Sequence, residues 1–303
     1  MSSAGLWGVA FGLVTAFFIG LFMVPRQYAK SDNPTFLLGL MAGATVGTFV
    51  YWLVAGMPFE WSWAALFSLV PGANWAAGSY AYASGTGRIG LAKATGIKNT
   101  QVVVTTLGGF LIFNEGATTE PLLATIGSAL VVATAVYLSR VEHSRNAVPR
   151  ASLKGYLMPI VASVLYGLNG LFMKTLIIWK VPLPQANLGI GIGALLGGAA
   201  IYAAKGKRFA DLGRWPKRDH IYALVGGLIW AAALITMLLS IEHAGLAVAW
   251  SLMNLSVVVS VIYGVVVLKE IDLRSRWGHV AIGLLLACLG VVALYYSKVL
   301  PAM

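Results

Sequence analysis

A few polar side chains stand alone inside long apolar runs: Asn99, Asn169 and Asn254, Gln101, and Lys98. Trp75 and Trp230 also sit in the middle of such runs. An amide taken out of water must find partners. Amides both donate and accept, so they match the hydroxyls of a polar, uncharged ligand. Indole faces match the apolar face of a sugar ring. Lys98 is a different case: a lysine at the centre of a membrane helix costs about 2.5–3.5 kcal/mol on the insertion scale and is a functional candidate by default. Lys98, Gln101 and Thr105 follow at i, i+3 and i+7 and so share one helix face. Blander readings stand beside these. The amides can bond neighbouring helices, the indoles can be ordinary packing, and Lys98 can snorkel to the surface.

The segments that must position these residues are repeated. Gly90–Glu115 and Gly245–Glu270 align without gaps at an offset of 155, and 10 of 26 positions are identical. Both open on Gly-Leu-Ala, carry Asn99 or Asn254, continue with three valines, and reach Gly109 or Gly264 and then Glu115 or Glu270. Gly72 and Trp75-Ala76-Ala77 recur as Gly227 and Trp230-Ala231-Ala232 at the same offset. Gly20-Leu21-Phe22-Met23 recurs as Gly170-Leu171-Phe172-Met173 at an offset of 150. An internal repeat governs every later step. At the two aligned sites Lys98 faces Met253 in the alignment, a break in the symmetry.

The chain of 303 residues is 59% hydrophobic and 10% charged, with a mean hydropathy of +0.82. Soluble domains carry roughly 25% charged residues, so the chain reads as a polytopic membrane protein. Ten spans are expected, near 5–24, 35–55, 63–84, 90–113, 121–139, 155–176, 185–203, 220–241, 246–268 and 279–297. Each suffices for a hydrocarbon core of roughly 30 Å. Spans 4 and 9 are the strongest, and span 6 is weakened by Pro159, Asn169 and Lys174. Sixteen Lys and Arg fall in loops after odd-numbered spans, and two, Lys180 and Lys298, on the other side. Positive residues stay in the cytoplasm, so both termini are expected outside. Five spans per copy is odd, so the copies cross in opposite senses. The expected fold is therefore all-α and integral to the membrane, ten transmembrane helices as two inverted five-helix repeats. Its parts are residues 1–140, a basic cytoplasmic linker over 141–154, and residues 155–303. At 1.5 Å per residue Asn99 and Asn254 lie roughly 12–14 Å deep, near the midplane, and are expected to meet there.

Several functions are excluded. The net charge of +11 is spread over short loops, which signals orientation and contact with anionic lipid rather than nucleic-acid binding. The single Cys288 gives no disulfide framework. The first apolar run has no basic leader and reads as a span, not a cleaved signal. His143, His220, His243 and His279 lack metal-ligand spacing, and no nucleophile–base pair or phosphate loop stands out. Neither enzyme chemistry, cofactor nor metal is expected. No carboxylate lies firmly mid-span; Glu115 and Glu270 end their spans, as boundary markers or as gates. Lys174 reads as an interfacial residue.

Taken together, these features resemble the drug/metabolite transporter superfamily, and within it the glucose/ribose porter type of sugar transporter. The resemblance rests on the ten spans in two repeats, on Leu268-Lys269-Glu270 ending the penultimate span, on Gly20-Leu21-Phe22-Met23-Val24-Pro25 followed by Arg26, and on Gly72–Trp75 and Gly227–Trp230. It implies a substrate cavity between spans 1, 3, 4, 6, 8 and 9, bringing together Trp75, Lys98, Asn99, Asn169, Trp230 and Asn254. It also implies proton-driven uptake, with Lys98 or Glu115 as coupling candidates; facilitated diffusion stays open.

The expected function is secondary transport of a small polar metabolite, foremost a monosaccharide, across the cytoplasmic (inner) membrane by alternating access, by a monomer or homodimer. Substrate-binding candidates are Trp75, Lys98, Asn99, Gln101, Asn169, Trp230 and Asn254. Coupling or gating candidates are Lys98, Glu115 and Glu270. One alternative is an exporter or exchanger of an anionic or amphipathic metabolite held by Lys98. Another, of a different class, is a membrane scaffold that moves nothing.

Overall fold

A computed structural model describes residues 3–89, 94, 97–115, 120–139, 153–256, 258–259, 262–263, 267 and 273–300. Every regular element among them is helical. In chain order these are α1 (Ser3–Leu21), a 3₁₀ turn (Val24–Gln27), α2 (Asn33–Ala55), α3 (Trp63–Phe67), α4 (Leu69–Ile89), α5 (Gln101–Leu111) and α6 (Pro121–Ser139). There follow α7 (Leu153–Ile178), α8 (Leu183–Ala204), a second 3₁₀ turn (Phe209–Arg214), α9 (Lys217–Ala244), α10 (Leu246–Met253) and α11 (Leu273–Val299).

Local chemistry sets the helix ends. Asp32 accepts from the Thr35 N–H at 3.1 Å and caps α2, Pro34 occupies its first turn, and Gly56 closes it in the left-handed region at φ 63°. Such a cap contributes about 1 kcal/mol. Ser62 caps the short α3 in the same way. Six helices among the described residues are long and apolar enough to cross a membrane. They correspond to spans 1, 2, 6, 7, 8 and 10. Span 3 is divided at Ser68 into α3 and α4, and α4 is the more polar for Asn74, Ser79 and Ser84. Span 6 is not weakened: α7 runs unbroken for 26 residues through Pro159, Asn169 and Lys174.

Spans 4 and 9, expected as the strongest helices, are interrupted. A turn at Asn99–Thr100 precedes α5, and a turn at Asn254–Leu255 follows α10. Around the first, Thr100 N–H bonds Ile97 O at 3.1 Å and Val103 N–H bonds Thr100 O at 3.0 Å. Around the second, Leu255 N–H bonds Leu252 O at 3.0 Å and Val258 N–H bonds Leu255 O at 2.9 Å. These i→i+3 bonds are the tighter 3₁₀ pattern, which inside a helix marks a hinge or a functional site. Averaged hydropathy does not register such a break, because the few polar residues at it are outweighed by the apolar runs on either side.

Helix packing is dominated by close backbone approach. A Cβ on Gly72 of α4 would collide with the Ile190 carbonyl and Ala194 nitrogen of α8. A Cβ on Gly227 of α9 would collide with the Leu40 carbonyl and Ala44 nitrogen of α2. Small residues at helix crossings are what association in lipid requires, since there is no hydrophobic drive between helices there. The two contacts match at the repeat offsets, 72 with 227 and 40 with 190. Phe67–Trp179, at 5.1 Å between ring centroids, has a counterpart in Tyr28–Tyr222 at 5.9 Å. The main core joins α2, α4, α7, α8 and α9 through residues such as Leu40, Met41, Trp75, Met173, Ile190 and Trp230. A second cluster holds α1, α6, α10 and α11 together around Val9, Val131, Leu252 and Leu294.

Polar contacts gather at two opposite ends. At one, the buried Asp219 of α9 accepts from the Lys30 and Ser31 N–H groups at 2.9 and 2.6 Å, and Asp32 pairs with Lys207. Burial pushes the Asp32 carboxyl up, but hydrogen bonds from Lys207 and Thr35 outweigh it and hold it below the usual carboxylate value. At the other end, the Gln185 amide bonds the backbone of Glu60.

Candidate polar site at the two helix breaks

The breaks carry the amides. Gln101, in the first turn of α5, donates from Nε2 to Asn254 Oδ1 at 3.1 Å. Asn254 in turn donates from Nδ2 to the Trp250 carbonyl at 2.8 Å, one turn back in its own helix. Asn99 is fully buried at 0% exposure, and neither its Nδ2 nor its Oδ1 has a partner. Gln101 Oε1 is likewise buried without a partner. Asn254 is thus hydrogen-bonded to Gln101 and not, as expected, to Asn99. At the position matching Gln101 the second copy carries Ser256, so the bond is not repeated by symmetry. Asn254 gains a partner across the breaks, and Asn99 does not.

Leaving a buried amide unpaired costs roughly 1–3 kcal/mol. Native proteins rarely tolerate that, and each instance asks for a cause such as an absent ligand. Asn99 offers an N–H₂ donor and a carbonyl acceptor, a mixed pair that suits a hydroxyl group.

Lys98 lies between two aromatic rings. Its Nζ stands 5.6 Å from the centre of Tyr82 and 6.0 Å from that of Tyr166, a cation–π cradle. Among the described residues no carboxylate pairs with it. The Tyr166 hydroxyl is held by Ser79 at 2.9 Å, and Thr100 is bonded to Ser163 at 2.9 Å. Thr105 donates to the carbonyls of Gln101 and Val102, so its hydroxyl is spent on its own helix. Asn169 belongs to another pair: its Oδ1 accepts from Asn74 Nδ2 at 3.2 Å, and Asn74 also bonds the Leu165 carbonyl at 2.6 Å.

Trp75 and Trp230 stack on each other, with ring centroids 3.8 Å apart and planes at 26°. They are 5% and 3% exposed. Each covers one face of the other, so the space between them is closed in this conformation. Phe22 tilts against Trp75 at 6.3 Å.

Glu115 is 4% exposed and deeply engaged. Its carboxylate accepts from the Leu246 and Ala247 N–H groups at 2.6 and 2.9 Å and pairs with Lys174 at 3.0 Å. It thereby caps the positive N-terminal end of α10, the most favourable place for a carboxylate on a helix. Gly245 lies against it at φ 83°, a conformation glycine alone adopts freely, and a Cβ there would press on the carboxylate. Lys174, near the end of α7, thus turns its ammonium to Glu115. Glu270 lies outside the described residues.

Sequence reasoning did not single out Tyr82, Tyr166, Asn74 or Trp250. Tyrosines and tryptophans in apolar runs look like packing, and only their neighbours reveal them. Asn74 had the same signal as Asn169, an amide in mid-span.

An all-helical chain whose exposed side chains include Leu107, Leu111, Val161 and Leu285, and whose amides are buried at helix breaks, is a multi-pass integral membrane protein. Breaks of this kind are tolerated at membrane depth only where they face protein or a cavity. Comparison with known proteins makes the class specific. The family model described as "Sugar transport protein" matches residues 10–296, and the chain belongs to that family. A relative from Listeria innocua, named for sugar uptake, is 26% identical over 286 residues, covering 92% of this chain and 95% of its own. A protein of Priestia megaterium named "Probable glucose uptake protein" is 24% identical over 245 residues, covering 76% and 78%. A solved crystal structure, 15% identical, superposes with a TM-score of 0.73 over 95% of this chain and 96% of that one, a likeness of fold alone. The sugar-porter resemblance read from the sequence agrees with the family. The protein is a transport protein of the cytoplasmic membrane, from a transport rather than an enzyme family.

Proposed function

We propose that the protein is a secondary transporter of a neutral monosaccharide, working by alternating access with two inverted five-helix repeats and both termini outside. The observation that carries the reading is the Asn99 amide, buried at the first helix break with both polar atoms bare. Transporters place their substrates near the midplane, at discontinuous helices on the repeat interface. The matched contacts of Gly72 and Gly227 support the repeat, and the relatives named for glucose uptake support the substrate. Trp75 and Trp230 meet at matching positions of the two copies, so rocking of one half against the other shears or parts their stack. Glu115 and Lys174 form the latch at one end, joining α10, α7 and the segment after α5.

A second reading rests on Lys98, whose ammonium has no carboxylate partner among the described residues: it holds the anionic group of a metabolite, or exchanges the coupling proton. One experiment separates these. Purified protein in liposomes is assayed for uptake of labelled glucose and of labelled organic acids. Asn99→Ala is expected to lower glucose uptake at least about tenfold, the loss of one or two hydrogen bonds, with Lys98→Met retaining it. Protein that moves none of these substrates overturns the transport reading and leaves the scaffold.

A further inference from the structure

Trp250 is buried to 2% exposure, and its indole Nε1 has no hydrogen-bond partner. A buried tryptophan N–H usually finds one. Phenylalanine or leucine would fill much of the same volume without stranding a donor, so packing alone does not account for the residue type. The ring lies where α10 meets two other helices: a Cβ on Gly170 of α7 would stand 3.0 Å from the Trp250 ring and 2.6 Å from the Thr105 methyl of α5. Glycine at 170 is what allows the indole to sit between these helices. Trp250 is one turn before Asn254 on the same helix and so shares its face. That face is the one Gln101 reaches. In the first copy the matching residue is Thr95, so the indole is not part of the duplicated scaffold. Trp52 also leaves its N–H bare, but it sits with Phe49 and Phe59 towards the far end of α2, away from the breaks.

We propose that the Trp250 indole N–H and the free Gln101 carbonyl read one hydroxyl of the substrate, the first donating to its oxygen and the second accepting its proton. A hydroxyl does both at once. A carboxylate would be repelled by the carbonyl oxygen, and an ammonium by the N–H. The pair therefore selects a neutral polyol, and it selects a hydroxyl at one position of the ring. This rests on the transport reading above. A site built to bond a hydroxyl rejects analogues lacking it far more strongly than an apolar pocket rejects a methylene.

The test is binding of glucose and its monodeoxy analogues to the purified full chain by calorimetry. Wild type is expected to bind one deoxy analogue at least about tenfold more weakly than glucose. Trp250→Phe should bind glucose about tenfold more weakly and no longer distinguish that analogue from glucose. Gln101→Met should lose discrimination at the same ring position. A Trp250→Phe protein that discriminates as wild type does overturns the proposal, as does one that weakens every sugar by the same factor, the mark of a packing role. Should Trp250→Phe fail to fold, discrimination retained by Gln101→Met overturns it. If wild type binds no sugar, the transport reading falls with it; if wild type binds and only the Trp250 prediction fails, that reading stands.

Discussion

Gln101 and Asn254, 153 residues apart, are joined by one hydrogen bond of 3.1 Å between two interrupted helices, while the buried side chain of Asn99, at the first break, has none. The proposed site thus gives the two amides different tests. Asn254→Ala strands Gln101 Nε2 and is expected to destabilise the protein by about 1–3 kcal/mol. Asn99→Leu removes two unpaired atoms and should leave the thermal midpoint unchanged or raised, while glucose binding is lost. A midpoint lowered by Asn99→Leu would show that this amide holds helices together.

Lys98→Met gives the first copy the residue of the second. Uptake of neutral sugar is expected to continue within about threefold of wild type, since the amides and not the ammonium bond hydroxyls. Relief of the burial cost of the charge should also raise stability. Loss of a proton gradient effect in this variant, with sugar exchange intact, would assign coupling to Lys98.

Glu115→Ala removes the cap of α10 and leaves Lys174 without its carboxylate. Breaking such a buried pair from one side costs roughly 3–5 kcal/mol, so this end should open. Ala244, buried at the turn before α10, reports on it. In a Cys288→Ser background, Ala244→Cys should react slowly with a membrane-impermeant maleimide, and at least about tenfold faster once Glu115→Ala is added, a shift of about 1.4 kcal/mol in the open population. Equal rates would assign Glu115 to capping alone.

At the opposite end the Asp32 carboxyl lies below its ordinary value, net of the burial that opposes it. A carboxyl lowered in the folded state contributes stability that is present above its unfolded pKa, about 3.9, and is lost as pH falls through the folded value. Its side chain is 35% exposed, so the contribution is small and salt-screened. Thermal midpoints measured from pH 6 down to pH 3 should fall more for wild type than for Asp32→Asn, and the two should keep a constant difference above pH 6.

Composition and charge placement were enough to establish an all-helical membrane protein, because lipid permits few other solutions for an apolar chain. The repeat in Gly90–Glu115 and Gly245–Glu270 already pointed to Asn99, Asn254 and Glu115, since polar residues in apolar runs are visible without coordinates. Three relationships were not legible. The breaks at Asn99 and Asn254 are changes of backbone hydrogen bonding, which leave hydropathy untouched. The partner of Asn254 depends on which residue the helix rotation turns towards it, and that is Gln101 rather than Asn99. The surroundings of Lys174 and Trp250 depend on which way each faces: Lys174 towards Glu115, Trp250 towards Gly170 with its N–H bare. Sequence determines which groups must be satisfied in lipid; only helix rotation and distance decide which of them the protein satisfies itself.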